Sequence, residues 1–341
     1  MVGRQRIIDM FLGKNTAAAS AFATEFWALN RRGYTIKEFL DNPFKLAPVV
    51  IEEAINIDSD IFFLLAGLTS VPVMALGGEL KFPEKGAPFM ENPLIRDKSD
   101  LFKLDINKIK SDRNVNSLRQ IADFINEKVK EKIILAVNCR APFTQAAQMV
   151  GPDTFMRMLR KDENFADEVL RFSTEIFLEY VTLFIESGIE MIYISDPSAS
   201  GDLISKRHFE KFAFPYLDKI NRYIKSKGAK TFFHICGDTG DRLDLIREIG
   251  PDIMSVDHKV DIGEAKRLLE DKVILAGNID PSSVMEYGSV ADVARAAKEC
   301  IKKAGHGRFI LMPGCEISGE TPLENIKEML KIGHSSKLNK D

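Results

Sequence analysis

Three side chains hold the densest chemistry in this sequence. His234 and Cys236 stand two apart in Thr231-Phe232-Phe233-His234-Ile235-Cys236-Gly237, and Cys315 closes the run Phe309-Ile310-Leu311-Met312-Pro313-Gly314-Cys315. Both runs read as buried β-strands that end at a glycine. Alternate residues of a strand share a face, so the imidazole and the first thiol point the same way. If the two strands end at one rim, the second thiol joins them. One imidazole nitrogen and two thiolates form a three-ligand zinc set with the fourth coordination position open, as catalytic zinc sites have. The chemistry such a site offers is activation of a weak nucleophile. A free thiol near pKa 8.5 is only a few per cent thiolate at neutral pH, whereas a thiol bound to zinc is deprotonated outright.

Such a meeting requires strands whose C-terminal ends face one rim. From about residue 60 the chain alternates short apolar runs with helical patterns. Strands are expected at 60–66, 133–138, 191–195, 231–235, 253–256, 273–276 and 309–312. Helices are expected at 114–130, 151–160, 164–187, 205–227, from 241, at 262–269, at 290–304 and from about 322. The strands are apolar on both faces, as in a parallel sheet covered by helices. The repetition predicts an α/β fold, a (β/α)8 TIM barrel with one strand missed or replaced; a doubly wound sheet is the alternative. Residues 1–58 read as an N-terminal helical cap, with Ala17–Ala28 Ala- and Phe-rich and a further helix opening at Asn42-Pro43. Residues 59–341 then form the barrel, the whole chain making a single domain. No Gly-rich phosphate loop follows an early strand.

In such barrels chemistry sits where the strands end. Here the strands run into Asn138-Cys139-Arg140, Asp196-Pro197-Ser198, His234-Ile235-Cys236, Asp257-His258, Gly277-Asn278-Ile279-Asp280 and Gly314-Cys315-Glu316. Asp196, Ser198 and Asp280 are equally suited to capping helix N-termini. Cys300 reads as a small core residue, and Cys139 as either core or site. His208, His306 and His334 read as surface or packing residues. His258 is a candidate for the pocket wall.

Composition sets outer bounds. The chain has 341 residues, 45% of them hydrophobic, with 47 basic and 50 acidic residues and a net charge of −3. That balance lacks the basic excess of a nucleic-acid binder. Four widely spaced cysteines are no disulfide framework. No run of about 20 apolar residues would span a bilayer, and the start lacks a signal-peptide pattern. The expected setting is the cytoplasm, where free thiols persist.

His234-Ile235-Cys236-Gly237, Leu275-Ala276-Gly277-Asn278-Ile279-Asp280-Pro281 and Gly314-Cys315 resemble motifs of the uroporphyrinogen decarboxylase superfamily, in its corrinoid-dependent methyltransferase branch, which includes the methylcobamide:coenzyme M methyltransferases. The resemblance implies a zinc-dependent enzyme moving a methyl group between a methylated corrinoid and a thiol such as coenzyme M, or another acceptor such as tetrahydrofolate. Zn2+ would be held by His234, Cys236 and Cys315. The methylcorrinoid would be a co-substrate carried by a small corrinoid protein, since Asp257-His258-Lys259 lacks the glycine spacing of a corrinoid-binding motif. Asn138, Arg140, Asp196, Asp257 and Asn278 are expected to line the substrate site. Glu316 or Glu320 is the candidate fourth metal ligand. Transfer from a methylated substrate to Co(I), with zinc as Lewis acid, and a decarboxylase-like role are the alternatives. Against the latter, Asn30-Arg31-Arg32-Gly33 does not match the decarboxylase arginine motif, and Leu65-Ala66-Gly67-Leu68 lacks a carboxylate where that enzyme carries its catalytic Asp.

Overall fold

Apolar runs become strands wherever both faces can be covered. The computed structural model describes residues 3–14, 18–22, 24–83, 88–305 and 308–336. Eight strands form one sheet: β1 (Ala19–Ser20), β2 (Ile61–Leu64), β3 (Ile134–Arg140), β4 (Met191–Ser195), β5 (Lys230–Ile235), β6 (Ile253–Val256), β7 (Ile274–Ile279) and β8 (Phe309–Pro313). Their order is β1-β8-β7-β6-β5-β4-β3-β2, and every pairing is parallel. The two ends of this order meet. The Ser20 carbonyl accepts from the Asp60 N–H at 3.0 Å, and Thr24 and Phe63 form a parallel bridge. With helices between the strands, this is a (β/α)8 TIM barrel.

The eighth strand lies inside the segment expected to be an N-terminal helical cap. Helices do occupy Gly3–Phe11, Glu25–Arg31, Ile36–Asp41 and Pro43–Asn56, but Ala19–Ser20 is a barrel stave. Alanine-rich composition favours helix; tertiary context overrides it here. Ala18, Ala19, Ser20 and Ala21 are fully buried, small enough to pass between the barrel interior and its outer helices. A strand of two residues shows no period to read. The expected helix over 205–227 is two, Lys206–Phe212 and Phe214–Ser226, with Pro215 in the first turn of the second, where proline is tolerated.

The outer helices bury one stripe each. In Arg113–Val129, capped by Asp112 on the Val115 N–H at 2.9 Å, the buried stripe is Val115, Leu118, Ile121, Ala122, Ile125 and Val129, the spacing of an amphipathic helix. Inside the barrel, Ile61, Phe63, Ile134, Ala136, Met191, Phe232, Ile253, Ile274, Ala276, Ile310 and Met312 pack into a plug. It fills the lower barrel, so polar residues further along the strands face the upper mouth.

The seam between β1 and β2 is fastened by a buried ion cluster. Asp60 has no exposure. Its Oδ1 accepts from Arg6 Nε at 2.8 Å and lies 2.7 Å from Arg6 Nη2 and 3.1 Å from His334 Nε2. Its Oδ2 accepts the Ser20 N–H at 2.8 Å. His334, expected to be a surface or packing residue, thus belongs to the seam. His306 lies outside the described residues. Among the described residues no helix is long and apolar enough to cross a membrane.

Candidate metal centre

β5 and β8 deliver their ends to the same side of the mouth. His234 Nε2 lies 3.2 Å from Cys236 Sγ, and Cys236 Sγ lies 3.6 Å from Cys315 Sγ. The three ligand atoms all lie within 4.8 Å of one another. A disulfide needs sulfurs about 2.05 Å apart, so the two cysteines are free thiols. For metal–sulfur bonds of about 2.3 Å, the edge of a tetrahedron is about 3.8 Å; the observed spacing is close to it. The donor set therefore fits a small, thiophilic, tetrahedral ion. Among the described residues no fourth His, Cys, Asp or Glu joins the group.

Backbone geometry fixes the two thiols. Gly237, which follows Cys236, has φ 73°, a conformation that glycine adopts without strain. A Cβ there would also lie 2.4 Å from Ser200 Oγ and Asp202 Oδ2. Its N–H donates to Asp257 Oδ2 at 2.8 Å. Gly314, which precedes Cys315, packs so closely on the β6 exit that a Cβ would sit 2.4 Å from the His258 nitrogen. The imidazole is fixed as well. Ser255, the register partner of His234 on β6, places its Oγ 3.0 Å from Nδ1, leaving Nε2 toward the sulfurs. Tyr193 lies near-parallel to the ring, 14° between planes with centroids 6.1 Å apart. A partner on the second ring nitrogen is how metal-binding histidines are oriented.

The sulfurs share their environment. The hydrogen bond with Cys315 lowers the Cys236 thiol below its ordinary value, while the same contact and burial raise Cys315. Burial works to lower the His234 imidazole, and Cys315, Asp257 and Ser255 together carry it above its ordinary value.

A cavity of about 120 Å³ opens beside the three donors. Its apolar wall includes Phe22, Phe63, Tyr193, Met312 and Pro313; its polar wall includes Asn138, Arg140, Ser195 and Glu316. Asn138 and Arg140, at the end of β3, are both on this wall. Glu316 lines the cavity but is not part of the three-donor cluster. Desolvation raises its carboxyl to about 7, against the lowering effect of Arg140 and His234. Glu320 lies in a separate outer groove with Trp27, Asn30 and Arg31.

Three residues expected on the pocket wall do not line it. Asp196 turns to the helix Pro142–Val150, accepting the Thr144 N–H at 2.9 Å and the Thr144 hydroxyl at 2.6 Å. Burial pushes its carboxyl up to about 6. Asp257 is spent on backbone N–H groups of Gly237 and Lys259. Asn278 donates to the carbonyls of Asp257 and Val260, at 3.0 and 2.7 Å, and so ties the β6 exit loop to β7. All three end strands as helix and loop fasteners, the other use of polar residues at such positions. His258 sits between Asp257 and Asp280 in a groove outside the cavity. Asp280 caps the N–H groups of Ser282 and Ser283. Cys139 is fully buried, and Cys300 lies 3.6 Å from Asn278 Oδ1.

The turn after β2 carries no carboxylate, yet one lies beneath it. Glu25 is fully buried and accepts the Gly67 N–H at 3.0 Å, while its Oε2 has no hydrogen-bond partner. Desolvation pushes its carboxyl from 4.5 to about 8, so the folded chain keeps a proton there at neutral pH. Between those values the unfolded chain has released a proton that the folded chain retains. Stability from this group is therefore full below pH 4.5 and is lost as pH rises toward 8. Glu25→Gln is neutral throughout and keeps an acceptor for Gly67. Its melting temperature should exceed that of the wild type by a margin that widens from about pH 5 to about pH 8. A pH-independent difference contradicts the buried, protonated carboxyl.

The uroporphyrinogen decarboxylase (URO-D) family profile matches residues 18–336. The methylcobamide:CoM methyltransferase MtbA of Methanosarcina acetivorans is 30% identical over 253 residues, covering 74% of this chain and 73% of that protein. Its counterpart in Methanosarcina mazei is 32% identical over 231 residues, 67% of each chain. A uroporphyrinogen decarboxylase of Trichlorobacter lovleyi is 26% identical over 323 residues, covering 93% of this chain and 92% of that one. Among solved structures, a methyltransferase from Methanosarcina mazei superposes with a TM-score of 0.84 at 22% identity, covering 97% of this chain and 98% of that one.

Proposed function

The chain belongs to the uroporphyrinogen decarboxylase family, and from that premise we propose that it is a zinc-dependent methyltransferase moving a methyl group from a methylated corrinoid to a thiol such as coenzyme M. The observation that carries this reading is the convergence of His234 Nε2, Cys236 Sγ and Cys315 Sγ with no fourth donor among the described residues. The similar relatives named methylcobamide:CoM methyltransferases support the corrinoid and the thiol. The turn after β2, with Ala66 on the cavity wall and no carboxylate, argues against decarboxylation.

Zinc bound by these three residues supplies a Lewis acid that favours the thiolate form of an acceptor thiol. The chain's own residues do the rest. Ser255 and Tyr193 hold the imidazole, and Asp257 holds the turn that carries Cys236. Phe22, Phe63, Tyr193 and Met312 make a largely apolar chamber, where charge interactions are screened less than in water. The acceptor loses its proton and its sulfur bonds to the methyl carbon. The cobalt–carbon bond breaks, and its electron pair stays on cobalt as Co(I). The small cavity beside the donors suits a small acceptor; the corrinoid presents its methyl face at the mouth, delivered by a small partner protein.

The test is spectroscopic. Zinc-loaded protein mixed with methylcobalamin and 2-mercaptoethanesulfonate should convert the methylcobalt spectrum to that of Co(I). Conversion with tetrahydrofolate but no thiol would reassign the acceptor. Failure with every thiol and pterin, together with methylation of Co(I) from a methylated amine or ether, would reverse the direction of transfer.

A further inference from the structure

Sheet pairing fixes His234 but stops short of Cys236. The register of β5 with β6 ends at Ile235, so the first thiol hangs on the turn beyond the strand. That turn is gripped from the β4 side. Residues 196–205 lead out of β4, and they meet the β5 exit repeatedly. The Asp196 N–H donates to the His234 carbonyl at 2.9 Å, and the Gly201 N–H donates to the Asp238 carbonyl at 2.9 Å. Ser200 and Asp202 close over Gly237, leaving no room there for a Cβ. A Cβ at Gly201 would lie 2.2 Å from the Asp238 carbonyl oxygen. From the β6 side, Lys259 pairs with Asp202 at 2.6 Å.

One buried side chain fastens the β4 and β5 exits together. Arg242 ends the turn Gly240–Arg242 and has no exposure. Its Nη1 donates to the Ala199 carbonyl at 2.8 Å, and its Nη2 donates to the Ile204 carbonyl at 3.0 Å. Its Nε donates to Asp241 Oδ1 at 2.8 Å, and the guanidinium lies 5.2 Å from the Phe209 ring centroid. The fork therefore holds both ends of the 199–204 loop from the β5 side. Burying a guanidinium is costly unless its donors are paired. Here they are paired with main-chain carbonyls, which fixes backbone. A ligand whose supporting shell is already ordered loses less freedom when it binds.

Resting on the zinc centre proposed above, we infer that Arg242 is a positioning residue for the metal. By locking the 199–204 loop against the β5 exit, it holds the Cys236 turn so that its thiol meets His234 and Cys315 before the ion arrives. Arg242 does not line the cavity and is not among the three donors. It acts only through the loop. Its loss leaves the thiol loosely placed and the ion weakly held.

The experiment measures zinc affinity by competition with a chromophoric chelator, on folded protein, beside the melting temperature of each metal-free form. Arg242→Gln should bind zinc about 10–100-fold more weakly than wild type, the usual loss when an outer partner of a metal ligand is removed. Arg242→Lys should fall between the two, because an ammonium restores the charge but not the planar fork. Gly201→Ala, at an exposed position, wedges the same two loops apart and should weaken zinc by about tenfold. Asp60→Ala, at the opposite end of the barrel, should lower the melting temperature and leave the affinity of folded protein unchanged. A zinc affinity within about twofold of wild type in folded Arg242→Gln makes the arginine merely structural and overturns the inference. Should Arg242→Gln fail to fold, the same result in Gly201→Ala overturns it. An equal loss of affinity in Asp60→Ala overturns it too, by tying zinc to global stability. Those outcomes leave the metal centre standing; a wild type that binds no zinc sinks that centre and this inference with it.

Discussion

Cys236→Ser and Cys315→Ser should each strip the protein of zinc and lower methyl transfer by on the order of 10³-fold or more. Outer partners of metal ligands typically cost about 10–100-fold when removed, and these two sulfurs are the ligands themselves. A serine hydroxyl does not ionise near neutral pH, so it replaces neither the charge nor the softness of the thiolate. With Sγ atoms 3.6 Å apart and His234 Nε2 3.2 Å from Cys236, losing either thiol leaves two donors for an ion that needs at least three from the protein. The check is metal content by mass spectrometry alongside the Co(I) assay. About one zinc per chain in wild type and near none in either variant is the expected result. Full zinc in both variants removes the site.

Asp60→Ala should destabilise the fold by about 3–5 kcal/mol, the usual cost of removing one partner of a buried ion pair. The reason is topological. β1 has two residues and closes the barrel against β2 through Ser20 and Asp60. Asp60 also neutralises Arg6, which is itself buried, and faces His334. Its removal leaves a buried guanidinium and takes an acceptor from the Ser20 N–H, at the point where the sheet is thinnest. Denaturant unfolding of wild type and variant measures the difference. A change under about 1 kcal/mol would place Asp60 among ordinary surface pairs, and the seam would owe its closure to packing alone.

Seven strands were legible because each is an apolar run long enough to be bounded by turn residues and alternated with helices. β1 was not legible, since Ala19–Ser20 sits among alanines whose local preference is helical and only the barrel's need for an eighth stave makes it a strand. The donor triad was legible for a different reason. Period-two spacing puts His234 and Cys236 on one face, and the barrel rule brings the end of β8 to the same rim. Asn138 and Arg140 followed from that logic. Asp196, Asp257 and Asn278 did not, because a polar residue at a strand end serves a helix N-terminus or a loop as readily as a pocket. Ser255 and Glu25 were missed. Each lies in an otherwise apolar stretch, and its use depends on the neighbour opposite: His234 by register for Ser255, and the turn after β2 for Glu25.

Function here rests on an ion held by three side chains with one position left for a sulfur. X-ray absorption at the zinc edge, on the zinc-loaded protein before and after addition of 2-mercaptoethanesulfonate, reads that coordination shell. Two sulfurs and one imidazole nitrogen plus a light fourth ligand are expected at first, becoming three sulfurs and one nitrogen with the thiol. A fourth protein ligand already in place, with a spectrum that thiol leaves unchanged, would mean a closed, structural site.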